Sequence, residues 1–183
     1  LKKEFPQLKV MVSIGGWGGC AFCSELFSTP EHRDQFAKLT VDFFKRTGID
    51  GLDLDWEYPA IEGYPGHLYT PEDRDHFTEL VRALRREMGK DFLLSFASGG
   101  FKSYVDKSVD WKQVMPQVDF VNLMTYDLVN GYSTVTGHHT ALGGKKKPAE
   151  SVRHNVEQLL AQGCEPSKLV VGAAIYARIW DSV

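Results

Sequence analysis

The chain contains no apolar run near the ~20 residues of a membrane-spanning helix, no block of like charge long enough to dominate its surface, and few cysteines. Lys and Arg number 21 against 24 Asp and Glu, a formal net charge of -3. The only compact basic run, Lys145-Lys146-Lys147, sits between Gly143-Gly144 and Pro148 and reads as a solvated loop. This pattern implies neither a nucleic-acid partner nor a polybasic membrane anchor. Of the three cysteines, Cys20 and Cys23 stand as one Cys-x-x-Cys without a second ligand pair, so no zinc site, no other metal and no cofactor is expected. The pair suits either redox chemistry in a cytosolic protein or a small loop disulfide in an exported one. Cys164, just after Gly163 at a predicted helix end, reads as an inert buried thiol. No internal repeat or linker is visible, so residues 1–183 are expected to form one unit without an internal boundary. The opening Leu1-Lys2-Lys3-Glu4-Phe5-Pro6 forms neither a signal peptide nor a natural start, and the chain is expected to begin within a longer protein.

The chain is 43% hydrophobic, enough for a real core and far from a disordered composition. Strand-like runs recur at Lys9 to Ile14, Gly51 to Trp56, Phe92 to Ala97, Phe120 to Tyr126 and Lys168 to Tyr176. Helix signals separate most of them. Ser28-Thr29-Pro30-Glu31 opens a helix that Gly48 ends, and Thr70-Pro71-Glu72-Asp73 opens another, with Phe77, Leu80, Val81, Leu84 and Met88 on its buried face and Gly89 after it. A third is predicted from about Pro148 to Gln162, with Val152, Val156 and Leu159 inward, while Gly99 to Val118 holds at most a short helix around Trp111. This alternation predicts an α/β fold with a parallel sheet.

Within Asp50-Gly51-Leu52-Asp53-Leu54-Asp55-Trp56-Glu57-Tyr58-Pro59, strand parity places Asp53, Asp55 and Glu57 on one face and Leu52, Leu54 and Trp56 on the other. Side chains two apart along a strand are separated by about 6.6 Å at Cα, so half-buried carboxylates raise one another's pKa. A free Glu titrates near ~4.3; burial beside charged neighbours is what keeps Glu57 protonated as a general acid. A single acid there reads as a cap or cation ligand. Three in register, a destabilising row of like charge, point to a use.

The run resembles the Asp-x-x-Asp-x-Asp-x-Glu signature of family 18 glycoside hydrolases, the chitinases and their relatives, with Asp50, Asp53, Asp55 and Glu57 at the defining positions. Ser13-Ile14-Gly15-Gly16-Trp17 resembles the family's Ser-x-Gly-Gly strand, Met124-Thr125-Tyr126-Asp127 its Met-x-Tyr-Asp strand end, and Tyr176-Ala177-Arg178 its Tyr-Gly-Arg segment, with Ala177 replacing Gly. The resemblance implies a (β/α)8 TIM barrel, of which this chain covers about five strands, the third to the seventh. Trp17, Glu57, Tyr126, Asp127 and Arg178 fall at or past the C-terminal ends of predicted strands, the face where barrel active sites lie.

By the same resemblance the activity is retaining hydrolysis of β-1,4-linked N-acetylglucosamine polymers, the sugar's acetamide acting as nucleophile in place of a second carboxylate. Glu57 is implied as acid then base, Asp55 as acceptor of the acetamide N–H, Asp53 as its deeper proton-sharing partner, and Tyr126 as the donor to the acetamide oxygen. Trp17, Tyr58 and Tyr176 are candidates for stacking on sugar rings, although core packing is an equal reading for each; Met124, Asp127 and Arg178 complete the candidate substrate contacts. Asp50, Gly15 and Gly16 are structural parts of the motifs. Trp56 and Trp111 are assigned to packing, and His138-His139 to a solvated loop in preference to substrate contact. The implied partner is chitin or an N-acetylglucosamine oligosaccharide, and the location the resemblance implies is secreted, periplasmic or cell-surface.

Gly16-Trp17-Gly18-Gly19-Cys20-Ala21 has a dinucleotide-site spacing, but the helix signals begin only at Ser28 and no acid ends a second strand ~20 residues on, so this reading fails. A chitin-binding lectin of the same fold is the main rival; it is disfavoured because Glu57, Asp55, Asp53 and Tyr126 are all present. An endo-β-N-acetylglucosaminidase acting on N-glycans shares the signature and stays open.

Overall fold

The computed structural model describes residues 1–143 and 150–181. Five strands, β1 (Met11–Gly15), β2 (Gly51–Asp55), β3 (Leu93–Gly99), β4 (Phe120–Met124) and β5 (Leu169–Val171), form one sheet in chain order with every neighbouring pair parallel. Parallel neighbours need a crossover between them, and the helices supply it. Consecutive, adjacent strands are the arrangement of a barrel wall. The wall is open: among the described residues β1 and β5 each pair on one side only.

The helices are α1 (Cys23–Leu26), α2 (Pro30–Thr47), α3 (Asp73–Met88), α4 (Lys102–Lys107), α5 (Trp111–Val114) and α6 (Val152–Ala161). The signals around α2 act as read: Thr29 Oγ1 accepts the His32 N–H at 3.3 Å, Pro30 opens the helix, and Gly48 closes it. Helix α3 starts later than its Thr70-Pro71 signal predicts, because the cap works in reverse. The Asp73 carboxylate accepts the Thr70 N–H at 2.8 Å, leaving Pro71 and Glu72 as a turn before the helix. Helix α6 likewise starts at Val152, since Ser151 is extended and caps the His154 N–H at 3.2 Å; Lys145 to Lys147 and Pro148 lie outside the described residues. Two short helices went unpredicted. Helix α4 has no side-chain cap, and burial of Tyr104 and Val105 holds it, a tertiary cause without a local signature. Helix α1 is one turn. The fifth strand ends at Val171, not Tyr176, because Leu123 is its last partner on β4 and the Gly172 N–H closes the ladder on Leu123 O at 2.9 Å.

The core lies between the outer face of the sheet and the helices. Leu52, Leu54, Leu94, Phe96, Val121 and Leu123 point outward into Ala37, Val41 and Phe44 of α2, Phe77, Leu80 and Leu84 of α3, and Trp111 of α5. Trp56 packs with Phe27 at 5.6 Å and Phe77 at 6.2 Å between ring centroids, and Trp111 donates from Nε1 to Val105 O at 2.8 Å, so both are packing residues as read. The opposite, inward face of the sheet carries the polar side chains Ser13, Asp53, Asp55, Ser95 and Asn122.

Candidate active site

The inward row on β2 begins with Asp53, which three strands hold. Its carboxylate accepts hydrogen bonds from Ser13 Oγ on β1 at 3.0 Å, Ser95 Oγ on β3 at 2.5 Å and Asn122 Nδ2 on β4 at 3.0 Å. Sequence reasoning missed Ser95 and Asn122 as site residues. Their inward parity was readable, but which polar side chain meets Asp53 depends on the register that pairs Asp53 with Ser95. Asp50, at the foot of the same strand, lies away from the groove and ties strands together, accepting the Val10 N–H at 2.8 Å and Lys2 Nζ at 2.7 Å. The Lys2 bond foremost, then the Val10 bond, holds its carboxyl below the usual range.

Asp55 is raised above the ordinary carboxylate range by burial first and by the charge of Asp53 second, and its Oδ1 is a buried acceptor without a partner. Glu57 is raised further, to about 7, chiefly by burial and then by the charges of Asp55 and Asp127, against an opposing contact from the Tyr58 hydroxyl. Tyr58 itself is held protonated by burial and packs edge-on against Phe101 at 5.3 Å and Tyr104 at 5.5 Å. Gly15 and Gly16 bring the end of β1 against this row. A Cβ on Gly15 would stand 2.0 Å from Asp55 O, and both residues have positive φ, 119° and 91°. The Gly16 N–H donates to Asp55 O at 2.7 Å.

The facing wall comes from the end of β4 and the segment after it. Met124, Tyr126 and Asp127 line the groove, with Tyr126 held protonated by burial and by the Asp55 charge. Burial works to raise Asp127, but hydrogen bonds from Arg178 and Tyr176 and the Arg178 charge outweigh it and leave its carboxyl below the usual range. Arg178 reaches Asp127 Oδ1 with Nε and Nη2, each at 2.7 Å. Tyr176 stands behind Tyr126, centroids 6.2 Å apart, and not among the groove-lining residues. The histidine pair divides. His138 is exposed as read, whereas His139 is shielded, with its Nδ1 3.6 Å from Asp127 Oδ1, so the solvated-loop reading fails for it. Sequence reasoning had no signal for this, because the contact is made by a loop returning on itself.

Together these residues form a groove of about 870 Å³ on the C-terminal face of the sheet. Trp17 lines it at the rim, 38% exposed, within 6.5 Å of the rings of Tyr58, Tyr64 and Tyr132. Glu62, Phe101, Leu128, Asn130, Gly131 and Tyr132 also line it and were not singled out from the sequence. Cys20 and Cys23 are joined as a disulfide, and Cys164 is buried with its thiol pushed up to about 11. The turn Gly16 to Cys20 does not open a helix, since α1 starts only at Cys23, so no dinucleotide cradle forms. Among the described residues no cluster of three or more His, Cys, Asp or Glu is placed to hold a metal, and no helix is long and apolar enough to cross a membrane.

A groove with a carboxyl raised to about 7, a buried acceptor beneath it, a phenol opposite and aromatic rims suits acid–base chemistry on a sugar. The sequence profile of Glycosyl hydrolases family 18 matches residues 1–183. Chitinase A1 of Niallia circulans is 32% identical over 197 residues, covering 99% of this chain and 28% of that protein. Chitinase ChiA74 from Bacillus thuringiensis superposes with a TM-score of 0.88 at 35% identity, over 94% of this chain and 29% of that one. A family 18 N-acetylglucosaminidase from Paenibacillus barengoltzii superposes with a TM-score of 0.87 at 36% identity, over 96% of this chain and 53% of that one. The chain thus spans between 28% and 53% of the length of these relatives. Its open sheet is five strands of a (β/α)8 TIM-barrel wall, and the chain belongs to family 18 of the glycosyl hydrolases.

Proposed function

We propose that this chain carries the acid–base centre of a chitinase that cleaves β-1,4-linked N-acetylglucosamine polymers with retention, the substrate's own acetamide serving as nucleophile. The observation that carries the reading is the pairing of a proton-holding Glu57 with the unpartnered, buried Oδ1 of Asp55 on one inward row. A buried acceptor without a donor is costly, and an acetamide N–H is a donor that relieves it. Glu57 protonates the glycosidic oxygen while the acetamide oxygen attacks the anomeric carbon, and the positive oxazolinium so formed is offset by Asp55, whose ionisation is coupled to the charge of Asp53. The phenol of Tyr126 donates to the acetamide oxygen and sets its angle. Water then opens the oxazolinium, with Glu57 as base. An attached, oriented nucleophile avoids a bimolecular encounter, an advantage worth up to ~7 to 11 kcal/mol. Trp17 and Tyr58 offer apolar faces to sugar rings, Met124 the floor, and Asp127 and Arg178 polar contacts to hydroxyls; Tyr176 acts through Asp127. Asp50, Gly15 and Gly16 hold the strands that carry these groups. The Cys20–Cys23 disulfide supports an oxidising, extracellular setting.

A second reading, an endo-β-N-acetylglucosaminidase acting on N-glycans, shares the acid signature, and one similar structure is a family 18 N-acetylglucosaminidase. A lectin without turnover is disfavoured by the intact acid row. One experiment on the intact parent protein separates these: chitin oligomers, their fully de-N-acetylated counterparts and a high-mannose glycoprotein are incubated with wild type and Glu57→Gln, and products are identified. Cleavage of the acetylated oligomers alone, lost by ~10²-fold or more in Glu57→Gln with binding kept, is the expected result. Equal cleavage of acetylated and deacetylated chains rules out the acetamide nucleophile, and more than a tenth of wild-type activity in Glu57→Gln rules out its role.

A further inference from the structure

The segment leaving β4 turns at Asp127, runs outward as residues 128–138 and returns to the same point at His139. The return is fastened twice. The Leu128 N–H donates to His139 O at 3.0 Å, and the Asp127 N–H donates to His139 Nδ1 at 3.4 Å. Between these ends the loop presents Asn130, Gly131 and Tyr132 to the groove. Asn130 ties the tip to the base, donating from Nδ2 to Asp127 O at 3.1 Å and accepting the Tyr132 N–H at 2.9 Å. The imidazole is shielded, its side chain 13% exposed, and its ring lies 5.1 Å from that of Tyr176.

A ring nitrogen that accepts carries no hydrogen, so the bond from the Asp127 N–H needs Nδ1 without a proton. The same Nδ1 lies 3.6 Å from Asp127 Oδ1, the oxygen already held by Arg178. A proton on Nδ1 removes the acceptor of the Asp127 N–H and sets a second cation against that oxygen. Asp127 has a φ of 54°, a left-handed conformation that a non-glycine residue keeps only when its surroundings hold it there. The bond to Nδ1 is one of those holds. The charged and titratable groups around the ring are Asp127 at the end of the β4 segment, Tyr176 and Arg178 on the segment after β5, and His138 beside it in the chain; Asp55 and Glu57 stand across the groove.

We propose that His139 is a positioning residue of the groove: neutral, it fixes Asp127 and the loop carrying Asn130 and Tyr132 for substrate, and protonated, it trades that bond for an ion pair with Asp127 and loosens the hold on an oligosaccharide. This rests on the reading of the groove as the site that takes an N-acetylglucosamine oligomer. The consequence is a dependence of binding on whether Nδ1 carries a proton, separate from the proton that Glu57 transfers.

The test measures Kd for a chitin tetramer by tryptophan fluorescence with Glu57→Gln present in every protein so that the tetramer is not consumed, and kcat and KM without that change, from pH 8 to pH 5 in the intact parent protein, for wild type at position 139, His139→Asn and His139→Ala. Asn offers a carbonyl oxygen where Nδ1 accepts and cannot take up the proton. Relative to His139→Asn, wild-type Kd is expected to rise at least about 5-fold between pH 7.5 and pH 5, the low end of coupling between two sites, with the change in KM and not in kcat. His139→Ala is expected to bind more weakly at every pH. Should the Ala variant fail to fold, as judged by its melting curve, the Asn comparison decides alone. A Kd profile of His139→Asn that follows wild type within a factor of about two overturns the proposal. Tetramer binding by wild type without turnover brings down the hydrolase reading yet still lets the His139 comparison be read; no binding by wild type brings down both.

Discussion

Glu57 holds its proton to about 7 because burial disfavours the carboxylate and Asp55 and Asp127 add negative charge nearby. Two consequences follow for the intact parent protein. As the acid of the first step, Glu57 must be protonated, so kcat/KM is expected to fall as pH rises through about 7. Stability carries the opposite side of the same shift. Between the ordinary value of 4.5 and the folded value of about 7 the folded state binds more protons than the unfolded one, so this group lowers stability progressively across that window and most above it. Glu57→Gln is therefore expected to raise Tm at pH 8 and leave it unchanged at pH 4, as scanning calorimetry at the two pH values would read; a lower Tm at pH 8 would contradict the burial argument. At this scale the acids were legible in the sequence, because strand parity alone aligns Asp53, Asp55 and Glu57. Their partners were not. Ser95 and Asn122 sit 42 and 69 residues from Asp53 along the chain, and only pairing across strands brings them to it.

Among the elements, the β1–β2 pair does most to shape the site. Gly15 pairs with Asp55, and the space between them has no room for a Cβ, which would lie 2.0 Å from a backbone oxygen that cannot step aside. Gly15→Ala is expected to cost about 3 kcal/mol or more, by forcing β1 away from β2 where Asp55 and Glu57 stand. Urea denaturation of the intact parent protein checks this, and a midpoint equal to wild type would show that the strands part without penalty. Helix ends show where local reading stops. Thr29, Pro30 and Gly48 are sufficient for α2, since each acts on the backbone next to it. Asp73 shifts the start of α3 because it is wholly buried, accepting Ser24 Oγ at 2.8 Å from a residue 49 positions away. The reading of β5 overran by five residues for a similar reason: an apolar run continues to Tyr176, but a strand lasts only while a partner lies beside it.

For the whole molecule, the open sheet governs behaviour. The two outer strands expose apolar side chains, Ile14 on β1 at 42% and Val170 and Val171 on β5 at 46% and 50%, and Ile175 beyond β5 is fully exposed. Unpaired edges with apolar side chains promote association. The 183-residue segment expressed alone is expected to aggregate or melt without cooperativity, and to lack hydrolase activity although the acid row is complete. Size-exclusion chromatography and calorimetry check the first expectation, and a chitin-oligomer assay the second. A monomeric, cooperatively melting, active product would show that the sheet needs no further strands.

The sequence by itself determined the class of fold, the inward row of acids and the tryptophans behind them, because period and parity act within a few residues of the backbone. It also carried the signature that aligns this chain with its family. Tertiary structure alone decided what those acids meet. Register brought Ser13, Ser95 and Asn122 to Asp53; the close approach of Gly15 brought β1 to Asp55; and the return of a loop set His139 against Asp127, 12 residues earlier in the chain. The proton on Glu57 belongs to this second group, since its cause is burial, and burial exists only once the sheet, the facing wall and the rim have come together.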